Sequence, residues 1–222
     1  MEYINIITHI ILIMSLGWYL ITNLQWYNYK LERVILKHHK WQWHITYFLS
    51  PIVLFYIIPE PYYAAYFFII YMTSFILWNK KLDRAVVLTS RVKRFLAILL
   101  FTTFAMTALC LSSPSCTNMV IFTPLILTYG ISTLLEKIFF ISFKNKGKQR
   151  IKSIAGLRTI AITASYGKTS IKNYLYHVLK NKYKTYKTPR SVNTIAGIVL
   201  DVNRDIPLDT QIYIAEAGAR VK

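Results

Sequence analysis

The sequence predicts a membrane α-helical bundle of about five helices, followed by a partial α/β domain with a parallel sheet. Apolar residues make up 55% of the chain and aromatic residues 15%, which is more than a soluble domain usually carries. Long apolar blocks occupy residues 1–143, whereas the later residues alternate short apolar runs with turns. We therefore expect a multi-pass transmembrane region at residues 1–143, a basic linker at 144–155 and a cytosolic α/β domain at 156–222.

Five apolar blocks approach the length of about 20 residues that a bilayer-spanning helix needs. The first, at residues 3–24, has no basic leader and no small-residue cleavage site, so we expect a retained helix. Residues 45–58 and 62–78 flank a Pro-Glu-Pro turn and predict a helical hairpin, with a kink at Pro51. Residues 95–112 and 119–141 form the fourth and fifth blocks, joined by a polar turn at 113–118.

Lysine and arginine are concentrated in alternate connections between these blocks. Residues 25–44 carry four of them and residues 79–94 carry six, whereas the turns at 59–61 and 113–118 carry none. The positive-inside rule then predicts a protein of the cytoplasmic (inner) membrane, with its N-terminus outside and its last domain in the cytosol. Orientation in the lipid bilayer accounts for the net charge of +18, and we expect no nucleic-acid partner.

Neither histidines nor cysteines show the spacing of a metal site. We interpret His38 and His39 as part of a solvated basic loop, because only Glu32 lies near them. Cys110 and Cys116 fall at an external connection. A disulfide between them remains an alternative, but two unpaired thiols are the commoner case. The linker cations (Lys144, Lys146, Lys148 and Arg150) suit either anionic lipid headgroups or a solvated tether.

A strand, a small-residue turn and a helix are predicted in succession between Arg158 and Lys172. The turn at residues 164–167 bares backbone N–H groups, and the helix N-terminus adds partial positive charge. This is the layout of a phosphate-binding loop (P-loop), in which Lys168 reaches the terminal phosphates and Thr169 ligates Mg²⁺. Ile162 stands where the strict pattern has glycine, so an ordinary turn with a solvated lysine remains an alternative.

The residues after the turn continue the alternation of helices and strands. We expect a helix at 171–181, a strand at 183–186, a polar loop and helix at 188–203, and a strand at 211–215. This order predicts a parallel sheet with right-handed crossovers, whose ligands gather at the carboxyl ends of the strands. Glu216 follows the last strand and is placed to share Mg²⁺ with Thr169, although an exposed loop acid is the commoner case.

Three motifs in this segment resemble the central ATPase domain of the Mur ligases, which form amide bonds in peptidoglycan (cell-wall) biosynthesis. They are TASYGKTS at 163–170, TPRSVNTIAG at 188–197 and EAGAR at 216–220. The details most resemble the branch that joins D-alanyl-D-alanine to a UDP-muramoyl-peptide, which acts in cell shape and cell division. A poly-γ-glutamate type of ligase, and a non-catalytic nucleotide-binding membrane scaffold for cell-wall synthesis enzymes, remain alternatives.

The resemblance implies that ATP phosphorylates a substrate carboxylate and that an amine attacks the acyl phosphate. Lys168 and Glu216 would be catalytic, Thr169 and Glu216 would hold Mg²⁺, and residues 156–222 would be the N-terminal part of the ATP-binding domain. The implied ATP-binding residues are Ser165, Tyr166, Gly167, Lys168, Thr169, Ser170, Asn193 and Thr194. Two residues depart from the family pattern, Ala164 in place of glycine and Ala217 in place of methionine.

The family's later metal-binding histidine, its modified lysine and its C-terminal domain have no counterpart in these residues. We therefore expect the 222-residue chain to be an incomplete fragment that is inactive as a ligase by itself. Steady formation of product from ATP and the two substrates by this chain alone would contradict that expectation.

Overall fold

The computed structural model describes residues 2–112 and 122–218, and the side chains of residues 2 and 3 are not among those described. The chain divides into two compact units, unit 1 at Met1–Glu136 and unit 2 at Lys137–Lys222. The predicted turn at 113–118 and Cys116 lie outside the described residues. Cys110 is disulfide-bonded, so the expectation of an unpaired thiol is wrong at that position.

Unit 1 is made of helices, two of which contain π-helical segments. They are α1 (Glu2–Trp26), α2 (Leu31–Leu36), α3 (Gln42–His44) with a π-helical segment (Ile45–Leu49) and α4 (Ser50–Ile57), α5 (Glu60–Tyr66) with a π-helical segment (Phe67–Tyr71) and α6 (Met72–Lys80), α7 (Ser90–Ser112) and α8 (Thr123–Ser153), which continues into unit 2.

Four helices in the described part of the chain are long and apolar enough to cross a membrane. They are Ile4–Trp26, Glu60–Lys80, Ser90–Ser112 and Thr123–Ser153. The predicted second span instead forms a continuous helix at residues 42–57, about 24 Å long at about 1.5 Å per residue. This helix is shorter than a hydrocarbon core of about 30 Å and is not among those four helices. The helix ends because Ile58 precedes Pro59 and is extended.

A π-helical segment ends at Leu49, two residues before Pro51, the position at which the sequence predicts a kink. Proline has no N–H group, so the carbonyl of Tyr47, four residues earlier, loses its helical partner. The hydroxyl of Tyr71 donates to that carbonyl at 3.1 Å, and the hydroxyl of Tyr63 donates to the carbonyl of Pro51 at 3.0 Å. Side chains of the neighbouring helix therefore satisfy the backbone that proline frees.

The helices of unit 1 alternate in direction. Residues 42–57 run antiparallel to α1, residues 60–80 run parallel to it, and α7 runs antiparallel again. The contacts that fix these directions are His9–Phe55, Tyr19–His44, Asn5–Glu60, Trp18–Asn79 and Gln25–Val87. Helix α8 opposes α7, since Thr128 lies against Thr102 at 2.8 Å and Glu136 against Arg94.

The alternation brings the two basic loops to the same end of unit 1. Lys40 lies 3.6 Å from Asp83, and the guanidinium of Arg91 lies 3.6 Å from the ring centre of Tyr29. The Pro-Glu-Pro turn lies at the opposite end, where Asn5 donates to Glu60. The described cationic connections therefore lie at one end of the bundle.

His38 does not belong to a solvated loop, and that interpretation is wrong for this residue. It is half-buried, its Nε2 lies 2.8 Å from Oδ1 of Asn23, and its Nδ1 accepts from the backbone N–H of Lys40 at 3.0 Å. Nδ1 is thus an acceptor, which requires the neutral ring. Burial first, and then the neighbouring His44, lower the pKa of His38 to about 4.

Unit 2 is an α/β unit with a parallel sheet, which confirms the prediction for this part of the chain. Its elements are β1 (Arg158–Ile162), α9 (Lys168–Leu179), β2 (Thr185–Lys187), α10 (Ile195–Arg204) and β3 (Ile212–Glu216). All strand pairs are parallel, in the order β1, β3, β2. Since β3 lies in the middle, its carboxyl end is adjacent to that of β1.

Alternate residues of β3 pack on opposite faces of the sheet, as a strand requires. Ile212 and Ile214 pack towards Leu175 and Leu179 of α9. Tyr213 and Ala215 pack towards α10 through the buried side chains Val202 and Ile206, with Ile154 in the same cluster. The carboxylate of Asp201 accepts from Tyr186 at 2.6 Å and Tyr213 at 2.9 Å, and burial raises its pKa.

The basic stretch predicted as a linker at 144–155 is largely helical, because α8 continues to Ser153. Arg150 donates to the carbonyl of Ile206 at 2.8 Å, and Asn203 donates to the carbonyl of Phe143 at 2.9 Å. Helices α8 and α10 are in close contact at Gly147, where a Cβ would lie 3.4 Å from the Asn203 side chain, an ordinary contact distance. This part of α8 therefore packs as an element of unit 2, and Arg150 is not a tether cation.

Candidate phosphate-binding site

The turn between β1 and α9 has the backbone of an anion-binding loop. Gly167 caps α9 with φ +76°, a left-handed conformation that glycine adopts without strain. A Cβ at Gly167 would meet no heavy atom within 4 Å, so backbone conformation alone favours glycine. The first helical hydrogen bond runs from the Ile171 N–H to the Gly167 carbonyl at 3.0 Å. The N–H groups of the first turn of a helix have no acceptor within it and remain available to an anion.

The predicted ATP-binding side chains of this turn are accessible. Ser165, Gly167 and Ser170 are exposed, and Tyr166 is 92% exposed. The ammonium of Lys168 donates to the carbonyl of Ala164 within the same turn. The cation therefore lies over the loop, beside the N–H groups that a phosphate would contact.

The loop after β2 is hydrogen-bonded to the carboxyl end of β3. The N–H of Thr188 donates to the carbonyl of Ile214 at 2.9 Å, and Thr188 Oγ1 accepts from the Glu216 N–H at 3.4 Å. Further along, the N–H of Gly218 donates to the carbonyl of Asn193 at 3.0 Å. A Cβ at Gly218 would lie 2.8 Å from that carbonyl oxygen, so only glycine permits this approach.

The three sequence motifs consequently meet at one edge of the sheet. The register pairs Ile162 with Glu216, and the N–H of Ala217 donates to the Ile162 carbonyl at 2.8 Å. The turn at 164–167 and Glu216 therefore lie at the carboxyl ends of adjacent strands, at the same level of the sheet. Thr169 Oγ1 lies 3.5 Å from Ser191 Oγ, which links the P-loop helix to the loop after β2.

Thr194 has a local structural role in addition to the predicted one. Its hydroxyl accepts from the N–H of Gly197 at 3.2 Å and caps the N-terminus of α10. Gly197 is needed there because a Cβ would lie 2.8 Å from Val192 Cγ1. The cap fixes where α10 begins and so orients the preceding Asn193.

Glu216 is buried, and the alternative of an exposed loop acid is wrong. Its side chain is 1% exposed, and Oε1 lies 2.7 Å from Nζ of Lys172, which is also 1% exposed. Lys172 Nζ donates in addition to the carbonyls of Thr188, at 2.8 Å, and Arg190. The sequence assigned Lys172 no role, although its position four residues after Lys168 puts both on one side of α9.

Arg190 has a backbone conformation that is uncommon for a residue with a side chain. Its φ is +49°, in the left-handed region. Such a residue costs about 1–3 kcal/mol and persists where its surroundings hold it. The contact between its carbonyl and Lys172 is one such restraint.

The residues at this edge suit Mg²⁺ bound together with a nucleotide. Oε1 of Glu216 is in contact with the Lys172 ammonium, yet no aligned hydrogen bond reaches it, so this buried oxygen retains acceptor capacity. Glu216 and Thr169 supply the oxygen ligands that Mg²⁺ prefers. The described residues contain no group of three or more His, Cys, Asp or Glu that could hold a metal alone. Phosphate oxygens would have to complete the coordination.

Two curated proteins are similar to part of this chain. One is a UDP-N-acetylmuramoyl-tripeptide--D-alanyl-D-alanine ligase of Borreliella burgdorferi, 49% identical over 47 residues that cover 21% of this chain and 10% of that protein. The other is a protein of the same name from Bacillus subtilis, 36% identical over 67 residues that cover 30% of this chain and 14% of that protein. The chain resembles the Mur ligases. It spans at most 14% of the length of these relatives.

The similarity confirms the resemblance that the three motifs indicated, over a minority of the chain. No family model and no solved structure matches the sequence.

Proposed function

We propose that this chain carries the ATP-binding part of a Mur-type ligase anchored in the cytoplasmic membrane. The proposal rests on one observation: the three motifs that contain Lys168, Asn193 and Glu216 lie together at one edge of the parallel sheet. The name that the two relatives share supports UDP-muramoyl-tripeptide and D-alanyl-D-alanine as substrates.

The chemistry would begin with transfer of the terminal phosphoryl group of ATP to a substrate carboxylate, which yields ADP and an acyl phosphate. The amine of the second substrate then attacks the acyl carbon, forms the amide and releases phosphate. Such transfers depend on positioning and charge stabilisation. Lys168 and the N–H groups of the first turn of α9 would hold the phosphate charge, and Asn193 would orient the terminal phosphate.

Mg²⁺ would neutralise phosphate charge when bound. Thr169 and Glu216 are the residues of this chain that would hold it. Burial of Glu216 beneath the edge keeps water away from its carboxylate, which strengthens its interaction with a cation.

The membrane proposal rests on unit 1. Four helices have spanning length, and the shorter helix at 42–57 still runs from the basic end of the bundle to the opposite end. The described helices therefore cross the bundle an odd number of times, with the basic loops at the end where α8 meets Arg94. By the positive-inside rule that end faces the cytosol and the N-terminus lies outside.

The test is equilibrium binding of MgATP to the full chain in detergent or nanodiscs. Lys168→Met should weaken binding at least about 100-fold, since a charge-assisted phosphate contact is lost. Lys180→Met is the matched control, because Lys180 is an exposed lysine at the other end of α9 and should bind as the unmodified chain does. Equal binding by the Lys168 variant and the control would overturn the proposal.

A further inference from the structure

Lys172 is a buried lysine that the proposed chemistry leaves without a task. Both it and Glu216 are 1% exposed, and removing two charges from water is costly. A buried ion pair of this kind is weak evidence for stability, because apolar residues of similar volume often stabilise a fold as well. The arrangement therefore calls for another explanation.

The contacts of the Lys172 ammonium come from separate parts of unit 2. Lys172 itself belongs to α9, the helix that the P-loop begins. Its ammonium reaches two carbonyls in the loop after β2, those of Thr188 and Arg190, and the carboxylate of Glu216 after β3. One charged group thus joins the three segments that form the candidate site.

The contact with the loop after β2 has a geometric consequence. Holding the carbonyl of Arg190 against the ammonium stabilises a left-handed residue that is otherwise strained. The next residue, Ser191, then lies beside Thr169, and Asn193 two residues later is hydrogen-bonded to Gly218. The position of Asn193 at the edge therefore depends on a loop that Lys172 holds in place.

We propose that Lys172 is a positioning residue, which fixes the loop at 188–194 and the Glu216 carboxylate relative to the P-loop. The inference rests on the proposed nucleotide site and deepens it. The three N–H donors of the Lys172 ammonium are matched by the carbonyls of Thr188 and Arg190 and the carboxylate of Glu216, so Lys172 acts through the loop and Glu216 and not on phosphate itself. Its two carbonyl contacts do not involve Glu216, so its effect on the loop can be measured separately from its effect on the Glu216 carboxylate.

Five variants of the full chain and one control separate the effect of the loop from that of the carboxylate. Glu216→Gln removes the carboxylate and keeps the ammonium, Lys172→Met removes the ammonium, and Lys172→Met/Glu216→Gln leaves a neutral pair of similar size. Asn193→Ala, alone and added to the double variant, reports on the loop. Lys180→Met controls for loss of one charge from α9.

Two measurements are made on each variant: the dissociation constant of MgATP, and hydrogen exchange of the amides at 188–194. The double variant should bind MgATP at least about tenfold more weakly than Glu216→Gln, although both lack the carboxylate. Adding Asn193→Ala to the double variant should have little further effect, whereas Asn193→Ala alone should weaken binding. The loop amides of the double variant should exchange faster, with those of β3 unchanged.

The inference is overturned if the double variant binds MgATP as Glu216→Gln does, or if its loop amides exchange at the unmodified rate. If Lys172 served only to neutralise buried Glu216, the double variant would give that result, because its neutral pair leaves no buried charge without a partner. Failure of the unmodified chain to bind MgATP would instead overturn the proposed function. The exchange measurement would still decide whether Lys172 holds the loop.

Discussion

Gly218→Ala tests whether the edge of the sheet positions Asn193. A Cβ at residue 218 would lie 2.8 Å from the backbone oxygen of Asn193, about 0.6 Å closer than ordinary contact allows. The oxygen belongs to the backbone, so it cannot rotate away as a flexible side chain would. The loop must move, and the hydrogen bond from the Gly218 N–H to the same oxygen is lost or stretched.

The expected cost combines two contributions. A lost hydrogen bond is worth about 0.5–1.5 kcal/mol, and overpacking typically costs about 1–3 kcal/mol. We therefore expect unit 2 to lose about 1–3 kcal/mol of stability in denaturant unfolding. If Asn193 contacts the nucleotide, MgATP should bind about tenfold more weakly, since about 1.4 kcal/mol corresponds to a factor of ten.

The assay is isothermal titration with MgATP, paired with urea unfolding followed by tyrosine fluorescence. Gly130→Ala is the matched control, because no heavy atom lies within 4 Å of a Cβ at that position. It should leave both measurements nearly unchanged. If Gly218→Ala bound MgATP within twofold of the unmodified chain and unfolded at the same denaturant concentration, the reasoning about this edge would be refuted.

Three further predictions concern glycine and histidine positions. Gly167→Ala forces a left-handed alanine at the cap of α9 and should cost about 1–2 kcal/mol, with weaker MgATP binding in the same titration. Gly17→Ala places a Cβ 2.1 Å from Leu99 Cδ2 between α1 and α7, so thermal unfolding of unit 1 should occur at lower temperature, and Leu99→Ala in the same chain should restore part of the loss. The pKa of His38 is lowered from 6.5 to about 4 in the folded chain, so the unfolded chain binds the proton more readily. The free energy of unfolding therefore has its full contribution from neutral His38 above about pH 6.5 and decreases as the pH falls towards 4. In a pH series of unfolding curves, this decrease should be smaller for His38→Gln.

The sequence predicts unit 2 well because its elements are separated by strong local signals. Apolar runs alternate with turns, and Gly167 marks the start of α9. Parallel pairing then follows from the alternation and brings Glu216 and the turn at 164–167 to the same edge of the sheet, whereas the position of β3 next to β1 is seen only in the structure. These features depend on near neighbours in the chain, which a single sequence displays directly.

The contacts of Lys172 could not be predicted in the same way. The residues that surround its ammonium lie 16 to 44 positions further along the chain, at Thr188, Arg190 and Glu216. Nothing local distinguishes this lysine from exposed Lys180, which caps the C-terminal end of the same helix. Its burial follows only from the packing of α9 on the sheet.

One error in the helical part has an identifiable physical cause. The basic stretch after Phe143 reads as a linker by charge, yet lysine and arginine are good helix formers and do not end α8. The block at 45–58 is helical as far as Ile57, and the helix ends there because Ile58 precedes Pro59, as the Pro-Glu-Pro turn indicates. Polarity shows where a chain meets water, whereas helix ends depend on backbone chemistry.

The most direct test of the account is a structure of the full chain with Mg²⁺ and a non-hydrolysable ATP analogue. We predict the triphosphate at the N-terminus of α9, with the Lys168 ammonium moved from the Ala164 carbonyl to the terminal phosphate. The cation should lie about 2.1 Å from Thr169 Oγ1. A nucleotide bound elsewhere, with Lys168 still on the Ala164 carbonyl, would contradict the assignment.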